Sequence, residues 1–389
     1  MPIAELDPRP LFYCGDELQQ AKLERVQAAM QTAELDALLL VKHDAVRYVT
    51  GFYAKGYRPF IEIEYLALVL PEGLPVLGTS LAGEEGRATL RSRTSEVRTL
   101  PGWRAWGSAL AGILAERGLI EAGIGYDLMP LFLHDELMTA LPNARFVDAS
   151  DIWSQITAVK LPGEIALLRK ALEIAQSGMD AALDAVRPGI SEIEVAAEAE
   201  YVMRRAGSEM NPFIPVVASG PNAAVWERVA TPRTIQSGEM VILDFGCVWN
   251  GYTGDFARTT VTGEPTAEQK RLYRGAYRAL QEAIGAVRPG VPCGGIDSVA
   301  RRVLREEGLE RYAAPWAIGH QLGYGLHGSP ALARGVEAEL QPGMVINIEP
   351  ALYTPDDLTI GGVELEDTVL VTDSGAERLT SLGYDERFL

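Results

Sequence analysis

Cysteine is scarce in this sequence. The 389 residues include three cysteines, Cys14, Cys247 and Cys293, which are odd in number and widely spaced. This pattern excludes a framework of paired disulfides and the closely spaced thiolates of a structural zinc site. We therefore expect a protein of a reducing compartment, and specifically of the cytoplasm.

Positive charge and long apolar runs are lacking as well. Lysine and arginine total 35 against 53 aspartates and glutamates, which gives a formal net charge of −18. Such a surface repels nucleic acid and anionic lipid, so we expect neither as a partner. The longest apolar runs, such as residues 37–41, have the length of strands, and the first residues lack the pattern of a signal peptide. No membrane-spanning helix is expected.

The chain has the length and the apolar content, 47%, for two domains with sizeable cores. Residues 1–157 alternate helical and strand-like segments, which predicts an α/β domain with a covered sheet. Pro162 and Gly163 then open a long helix that ends near Val186. We therefore place the domain boundary near residue 158, between domains 1–157 and 158–389.

An internal repeat with an offset of 101 residues runs through the second domain. The sequence AVRPG at residues 185–189 recurs at residues 286–290, and helical segments flank both copies. Each half then reaches two strands that each carry a carboxylate. These four acids are Asp244 and Asp255 in the first half and Glu349 and Glu366 in the second. The duplication predicts an α+β domain with pseudo-twofold symmetry, whose four acids meet at the axis.

The first pair of acids lies in a predicted hairpin. Residues 241–259 read as two strands joined by a turn at Asn250 and Gly251. A two-residue turn places Asp244 opposite Ala257, so Asp255 lies on the same face, one diagonal step away. Two carboxylates in an apolar strand pair repel each other and cost desolvation energy unless a cation lies between them. The hairpin therefore predicts a metal site.

A glycine-rich segment supplies two histidines. Residues 319–328 (GHQLGYGLHG) contain His320 and His327, which face opposite ways in an extended strand unless a bulge or bend intervenes. One imidazole with four carboxylates suits Mn, Fe or Co, and Zn less typically. Four negative ligands over-neutralise one divalent ion, whereas two ions balance their charge.

These residues make the sequence resemble the pita-bread metallopeptidases, namely methionine aminopeptidase, aminopeptidase P, prolidase and the non-peptidase relative creatinase. The matching pieces follow in order: residues 218–224 (ASGPNAA), 243–246 (LDFG), 254–259 (GDFART), 319–323 (GHQLG), 342–344 (PGM), 348–350 (IEP) and 365–371 (LEDTVLV). The first domain resembles the N-terminal domain of the prolidase, aminopeptidase P and creatinase branch, which methionine aminopeptidases generally lack.

The resemblance implies a ligand set for two divalent metal ions, with Mn preferred and Co or Zn as alternatives. The ligands would be Asp244, Asp255, His320, Glu349 and Glu366, of which Asp255 and Glu366 would bridge the ions. His327 would hydrogen-bond the scissile carbonyl or the oxyanion, and Glu349 would also shuttle the proton. Creatinase has lost this ligand set, whereas this sequence keeps all five residues.

The substrate end departs from the family pattern at two positions. Glu227 stands where the family usually has a catalytic histidine, and Glu364 stands where it tends to carry an arginine. By strand parity Glu364 shares a face with Glu366 and points toward the site, where a carboxylate repels a product carboxylate. Candidate replacements for the missing substrate contact are Arg228, Arg233 and Arg258.

The function implied by the resemblance is hydrolysis of Xaa-Pro bonds in dipeptides, by hydroxide held between two metal ions. One alternative is an Xaa-Pro aminopeptidase that acts on longer peptides. Another is a creatinase-like non-peptidase that acts on a small zwitterion, which the departures at Glu227 and Glu364 favour. We expect short proline-containing peptides as substrates and, from the resemblance, a homodimer.

Overall fold

The computed structural model of the protein describes residues 14–53, 64–80, 83–101, 105–227 and 229–389. The chain divides into two units, Met1–Ile156 and Thr157–Leu389. Within the described ranges, no helix combines the length and the apolarity needed to cross a bilayer.

The first unit is built on a mixed six-stranded sheet in the order β4-β3-β2-β1-β5-β6. Its strands are β1 (Ala37–Leu40), β2 (Tyr65–Val69), β3 (Val76–Thr79), β4 (Glu96–Thr99), β5 (Gly123–Tyr126) and β6 (Arg145–Asp148). The central strand β1 is buried throughout, which explains its continuous apolar run. The sequence did not indicate β4 and β6, because these edge strands are polar and partly exposed.

Helices of this part of the chain are α1 (Asp16–Thr32), α2 (His43–Thr50), α3 (Glu84–Arg91), α4 (Trp106–Ala115), α5 (Leu131–Ala140) and α6 (Ser150–Ala158). Trp106, Leu39 and Leu137 belong to the main apolar core of the unit. An α/β unit with a sheet covered by helices is what the alternating pattern predicted, and this part of the fold prediction is confirmed.

The second unit contains both copies of the internal repeat. Its first half comprises α7 (Pro162–Ala185), α8 (Glu192–Arg205), β7 (Val216–Ser219), α9 (Pro221–Ala224), β8 (Met240–Trp249) and β9 (Tyr252–Val261). Its second half comprises α10 (Ala267–Ala286), α11 (Cys293–Glu306), β10 (Gln321–Gly323), β11 (Gly325–Gly328), β12 (Val345–Ile348), β13 (Ala351–Leu352), β14 (Val363–Glu364), β15 (Asp367–Thr372) and β16 (Gly375–Arg378). A short 3-10 turn spans Glu310–Tyr312.

The helix boundaries reproduce the sequence repeat. The helices α7 and α10 end at Ala185 and Ala286, while α8 and α11 span equivalent stretches, again 101 residues apart. Each helix pair packs on the sheet of its own half, since Met203 and Leu243 share one core cluster and Val303 and Val369 share another. The predicted pseudo-twofold α+β domain is confirmed.

The hairpin of β8 and β9 has the predicted register. Its turn residues Asn250 and Gly251 both have positive φ angles, 48° and 84°, as a tight two-residue hairpin turn requires. Asp244 accordingly pairs with Ala257, and Asp255 pairs with Gly246. The strands β7, β8 and β9 form a three-stranded sheet, and β11-β10-β12-β15-β16 form a five-stranded sheet.

Candidate metal centre

Acidic side chains arrive at the centre from both halves of the second unit. Asp244 and Asp255 project from the same face of the β8–β9 hairpin. In the other half β12 and β15 are antiparallel with Ile348 opposite Asp367, which places Glu349 just beyond one strand and Glu366 just before the other. Both pairs of acids line one cavity of about 660 Å³.

The side chains converge closely enough to share a metal ion. Asp255, His320 and Glu366 each offer one ligand atom, and these atoms lie within 4.8 Å of one another. The Nε2 atom of His320 is 3.8 Å from Asp255 Oδ2 and 3.7 Å from Glu349 Oε1. The structure therefore brings together His320 and all four acids that the sequence singled out.

The electrostatics of the centre call for a cation. Burial, followed by the carboxylates of Asp255, Glu349 and Asp244, raises the pKa of Glu366 well above its ordinary value. Repulsion among buried carboxylates has this effect, and bound cations relieve it. An oxygen-rich donor set with one imidazole fits hard or borderline divalent ions.

His320 is held as a neutral imidazole. Burial lowers its pKa to about 4, so the imidazole is uncharged near neutral pH. Its Nδ1 atom lies 3.1 Å from the Gln321 carbonyl oxygen, which can only accept a hydrogen bond. The ring proton therefore sits on Nδ1, and the lone pair of Nε2 faces the acids.

A β-bulge brings the side chains of the two histidines close together. The pairing of β10 with β11 shifts register between Gln321 and Gly323. The rings of His320 and His327 consequently lie 4.5 Å apart, and both residues line the cavity. The sequence left this open, since the position of a bulge depends on cross-strand pairing.

Asn347 orients one acid and was not singled out from the sequence. Its Nδ2 donates to Glu366 Oε1 and lies 3.4 Å from the Asp255 carbonyl oxygen, while its Oδ1 accepts from Thr368 Oγ1 at 2.7 Å. The available signal was a fully buried amide within the apolar strand β12, two residues before Glu349. Such contacts fix the orientation of a metal-binding carboxylate.

The other wall of the cavity is apolar. It is formed by Phe213, Ile214, Val216, Val229, Trp316 and Leu326. Trp316 stacks on Trp226 with ring centroids 3.7 Å apart, and the Tyr353 ring lies 6.0 Å from Trp316. The sequence reading did not identify this aromatic group, because its three members come from separate loops and strands.

The two unexpected glutamates lie outside this lining. Glu364 is buried, accepts a hydrogen bond from Tyr353 Oη at 3.3 Å, and contributes to the raised pKa of Glu366. Glu227 is half-buried, and its backbone N–H donates to the Asn222 carbonyl. Neither belongs to the described residues that line the cavity.

In the structure the candidate substrate contact Arg258 bonds to other groups and does not belong to the described residues that line the cavity. Arg258 is 2% exposed, and its five N–H groups already donate to other acceptors. These are the carbonyls of Ala257, Glu366, Leu382 and Gly383 and the carboxylate of Asp367. Arg233 pairs with Glu239, and Arg228 lies outside the described residues.

Comparisons with known proteins agree with this architecture. Residues 166–373 match the model of metallopeptidase family M24, and residues 22–159 match the creatinase/prolidase N-terminal domain. The Xaa-Pro dipeptidase of Pyrococcus horikoshii is 31% identical over 369 residues, which cover 94% of this chain and 98% of the relative.

Solved structures of the same kind share the fold over nearly the whole chain. The recombinant prolidase of Thermococcus sibiricus has a TM-score of 0.85 at 27% identity and covers 95% of this chain and 99% of its own. The X-Pro aminopeptidase of Thermotoga maritima has a TM-score of 0.83 at 25% identity, with 93% and 98% covered. The chain therefore belongs to metallopeptidase family M24 and carries the creatinase/prolidase N-terminal domain.

Proposed function

We propose that the protein is a divalent-metal-dependent exopeptidase that hydrolyses Xaa-Pro bonds and that its preferred substrates are dipeptides. The observation that carries this proposal is the convergence of a neutral imidazole and four carboxylates on one cavity. The names of relatives such as the Pyrococcus horikoshii Xaa-Pro dipeptidase support the choice of bond.

The residues that would hold two divalent ions are Asp244, Asp255, His320, Glu349 and Glu366. We propose Mn as the metal, with Co or Zn as alternatives. When bound, such ions act as Lewis acids and lower the pKa of water toward ~7.

His327 and Glu349 would carry the proton and charge movements. His327 lines the cavity beside His320 and can donate a hydrogen bond to the scissile carbonyl oxygen. A donor aimed at the developing oxyanion contributes roughly 10²–10³ in kcat. Glu349 would take the proton from the attacking water and deliver it to the proline nitrogen, which leaves as a secondary amine and needs that proton.

The dimensions and the apolar wall of the cavity support a small peptide substrate. Its volume of about 660 Å³ lies within the usual range for small-molecule sites. The aliphatic side chains and Trp316 on one wall offer an apolar surface to a pyrrolidine ring, whereas the polar groups lie at the acidic end.

One observation favours the aminopeptidase as a second candidate. Among the described residues that line the cavity none is lysine or arginine, and the buried Glu364 lies close to Glu366. A free carboxylate on a dipeptide would gain no ion pair from these residues, whereas a longer peptide has no carboxylate at that point. A creatinase-like reaction on a small zwitterion is a third candidate.

The test is turnover of Ala-Pro and Ala-Pro-Ala by the Mn²⁺-loaded enzyme, with Gly-Ala as a substrate lacking proline. Cleavage of Ala-Pro is expected, and the Asp255→Ala variant should be inactive. Cleavage of the tripeptide alone would refute the dipeptidase proposal in favour of the aminopeptidase. Cleavage of neither would refute Xaa-Pro hydrolysis.

Compartment and assembly are part of the same proposal. The three cysteines are free in the structure, which supports a reducing, cytoplasmic location. We also propose a homodimer, which light scattering of the purified protein would test.

A further inference from the structure

A buried cluster behind the cavity joins the 382–389 segment to the strand end that carries Glu366. We define this cluster as Arg258, Asp367, Thr380 and Tyr384, together with the backbone carbonyls that Arg258 binds. It shares no side chain with the described cavity lining. Its contacts hold the backbone of Glu366, one acid of the candidate metal centre.

Arg258 is the hub of the cluster. It lies on β9, three residues after Asp255, and its guanidinium donates to the Glu366 carbonyl oxygen at 2.6 Å and to the Ala257 carbonyl oxygen at 3.0 Å. The backbone N–H of Glu366 in turn donates to the Ala257 carbonyl at 3.1 Å. Both sides of the Glu366 backbone are therefore fixed to β9.

The remaining donors of Arg258 bind the 382–389 segment. Its Nη2 and Nε atoms donate to the carbonyl oxygens of Leu382 and Gly383, at 2.5 Å and 3.0 Å. The Tyr384 ring lies under the guanidinium, 4.6 Å from its central carbon. An arginine that uses all five donors in one geometry cannot be replaced by lysine, which offers a single ammonium group.

Asp367 closes the cluster from the other side. It follows Glu366 directly, is fully buried, and accepts from Arg258 at 2.9 Å and from Thr380 Oγ1 at 2.7 Å. Tyr384 Oη donates to its second oxygen, and Arg378 Nε lies 3.2 Å from that oxygen. Burial raises the pKa of the Tyr384 hydroxyl, so the hydroxyl remains a hydrogen donor.

The segment is itself anchored independently of this cluster. The Phe388 ring is fully buried and stacks on Tyr273 with centroids 4.2 Å apart. Asp385 N donates to Tyr273 Oη at 3.0 Å, and Arg387 pairs with Asp385. These anchors in the C-terminal part of the segment therefore separate its general stability from the contacts that reach Glu366.

We propose that Arg258 and Tyr384 are positioning residues that hold Glu366 in its metal-binding orientation and thereby set the divalent-metal affinity of the protein. The route runs from the 382–389 segment through Asp367 and Arg258 to the Glu366 backbone. It complements Asn347, which holds the Glu366 carboxylate directly. Contacts of this kind typically contribute about 10- to 100-fold in metal affinity.

The experiment compares Arg258→Lys and Tyr384→Phe with the wild-type chain, using Mn²⁺ affinity of the metal-free protein by calorimetric titration as the readout. We expect affinity to fall about 10- to 100-fold for Arg258→Lys and by about 10-fold for Tyr384→Phe. Saturating Mn²⁺ should restore wild-type occupancy. Arg387→Gln is the matched control, because it weakens the same segment through Asp385 without touching Asp367 or Glu366.

A purely structural role would lower the melting temperature of the metal-free variants, as in Arg387→Gln, and leave Mn²⁺ affinity unchanged. That result in a folded Tyr384→Phe variant would overturn the proposal even if Arg258→Lys failed to fold. A wild-type protein without a Mn²⁺ site would overturn it as well. Because the readout is binding, a failure of the proposed peptidase activity would leave this result unaffected.

Discussion

Replacing Glu366 by glutamine should make the protein more stable than wild type without metal and less stable than wild type in the presence of Mn²⁺. In the metal-free state Glu366 lies among like charges, with ligand atoms of Asp255 and Glu366 within 4.8 Å of each other. Two unit charges at that separation repel by about 3.5 kcal/mol at an effective dielectric constant of about 20. Protonation of Glu366, whose pKa is raised, lowers this cost, so we expect a gain of about 1–3 kcal/mol from the neutral side chain.

The substitution leaves the surroundings of residue 366 otherwise intact. Glutamine keeps an oxygen that can accept the hydrogen bond from Asn347 Nδ2. It removes a negative charge that the proposed metal site would use, so metal binding should be lost. At a metal concentration 100 times its Kd, the wild-type protein gains about 2.7 kcal/mol in its free energy of unfolding, and the variant should lack this stabilisation.

The assay is thermal unfolding of both proteins in EDTA and in Mn²⁺. At about 2–4 °C per kcal/mol for a unit of this size, the variant should melt several degrees above wild type in EDTA and below it in Mn²⁺. Glu364→Gln is the control, since Glu364 is buried nearby but lies outside the cavity lining. It should retain stabilisation by Mn²⁺. A Glu366→Gln variant that is less stable in EDTA and fully stabilised by Mn²⁺ would refute the reasoning.

Three further outcomes are expected. His327→Ala should lower kcat by roughly 10²–10³ on Ala-Pro while Mn²⁺ affinity stays unchanged; an equal loss of affinity would make His327 a ligand instead. Trp316→Ala should raise KM for Ala-Pro by roughly 10-fold or more, because it removes the aromatic part of the apolar wall that would face the pyrrolidine ring, and an unchanged KM would contradict this. Gly319→Ala should destabilise the fold by about 1–3 kcal/mol in urea unfolding, because its Cβ would lie 2.0 Å from the Asn347 carbonyl oxygen. Gly335→Ala provides a comparison without that clash, because its added Cβ would meet nothing within 4 Å, although the positive φ of Gly335, unlike Gly319, strains alanine.

Much of the metal centre could be predicted because its signals are local or repeated. The turn residues Asn250 and Gly251 fix the hairpin register, and the register alone places Asp244 and Asp255 on one face. The repeated order of helices and strands then points to Glu349 and Glu366 as the corresponding acids of the second half. Strand parity can be read from a short stretch and duplication from a repeated pattern, so both can be recognised without knowledge of the fold.

The substrate end could not be predicted in the same way. Glu364 and Glu366 do not share a strand, so strand parity does not relate them, and it could not show that Tyr353 would bond to Glu364 or that Trp226 would stack on Trp316. Those contacts join residues from different loops. Polar edge strands such as β4 and β6 escaped notice for a related reason, because pairing with a neighbour rather than an apolar pattern makes them strands.

By itself the sequence determined the two-domain architecture, the internal repeat of the second domain, and the acids and histidines at the centre of that domain. The alternating pattern, the repeat and the family motifs carry this information. Only the tertiary structure decided how each is held. The bulge in β10 places His327 beside His320. Arg258 pairs with Asp367, 109 residues away, so its guanidinium is not available to a substrate. The physical reason is that a buried charge takes whichever acceptors the fold brings within reach, and that choice is made by packing between distant segments.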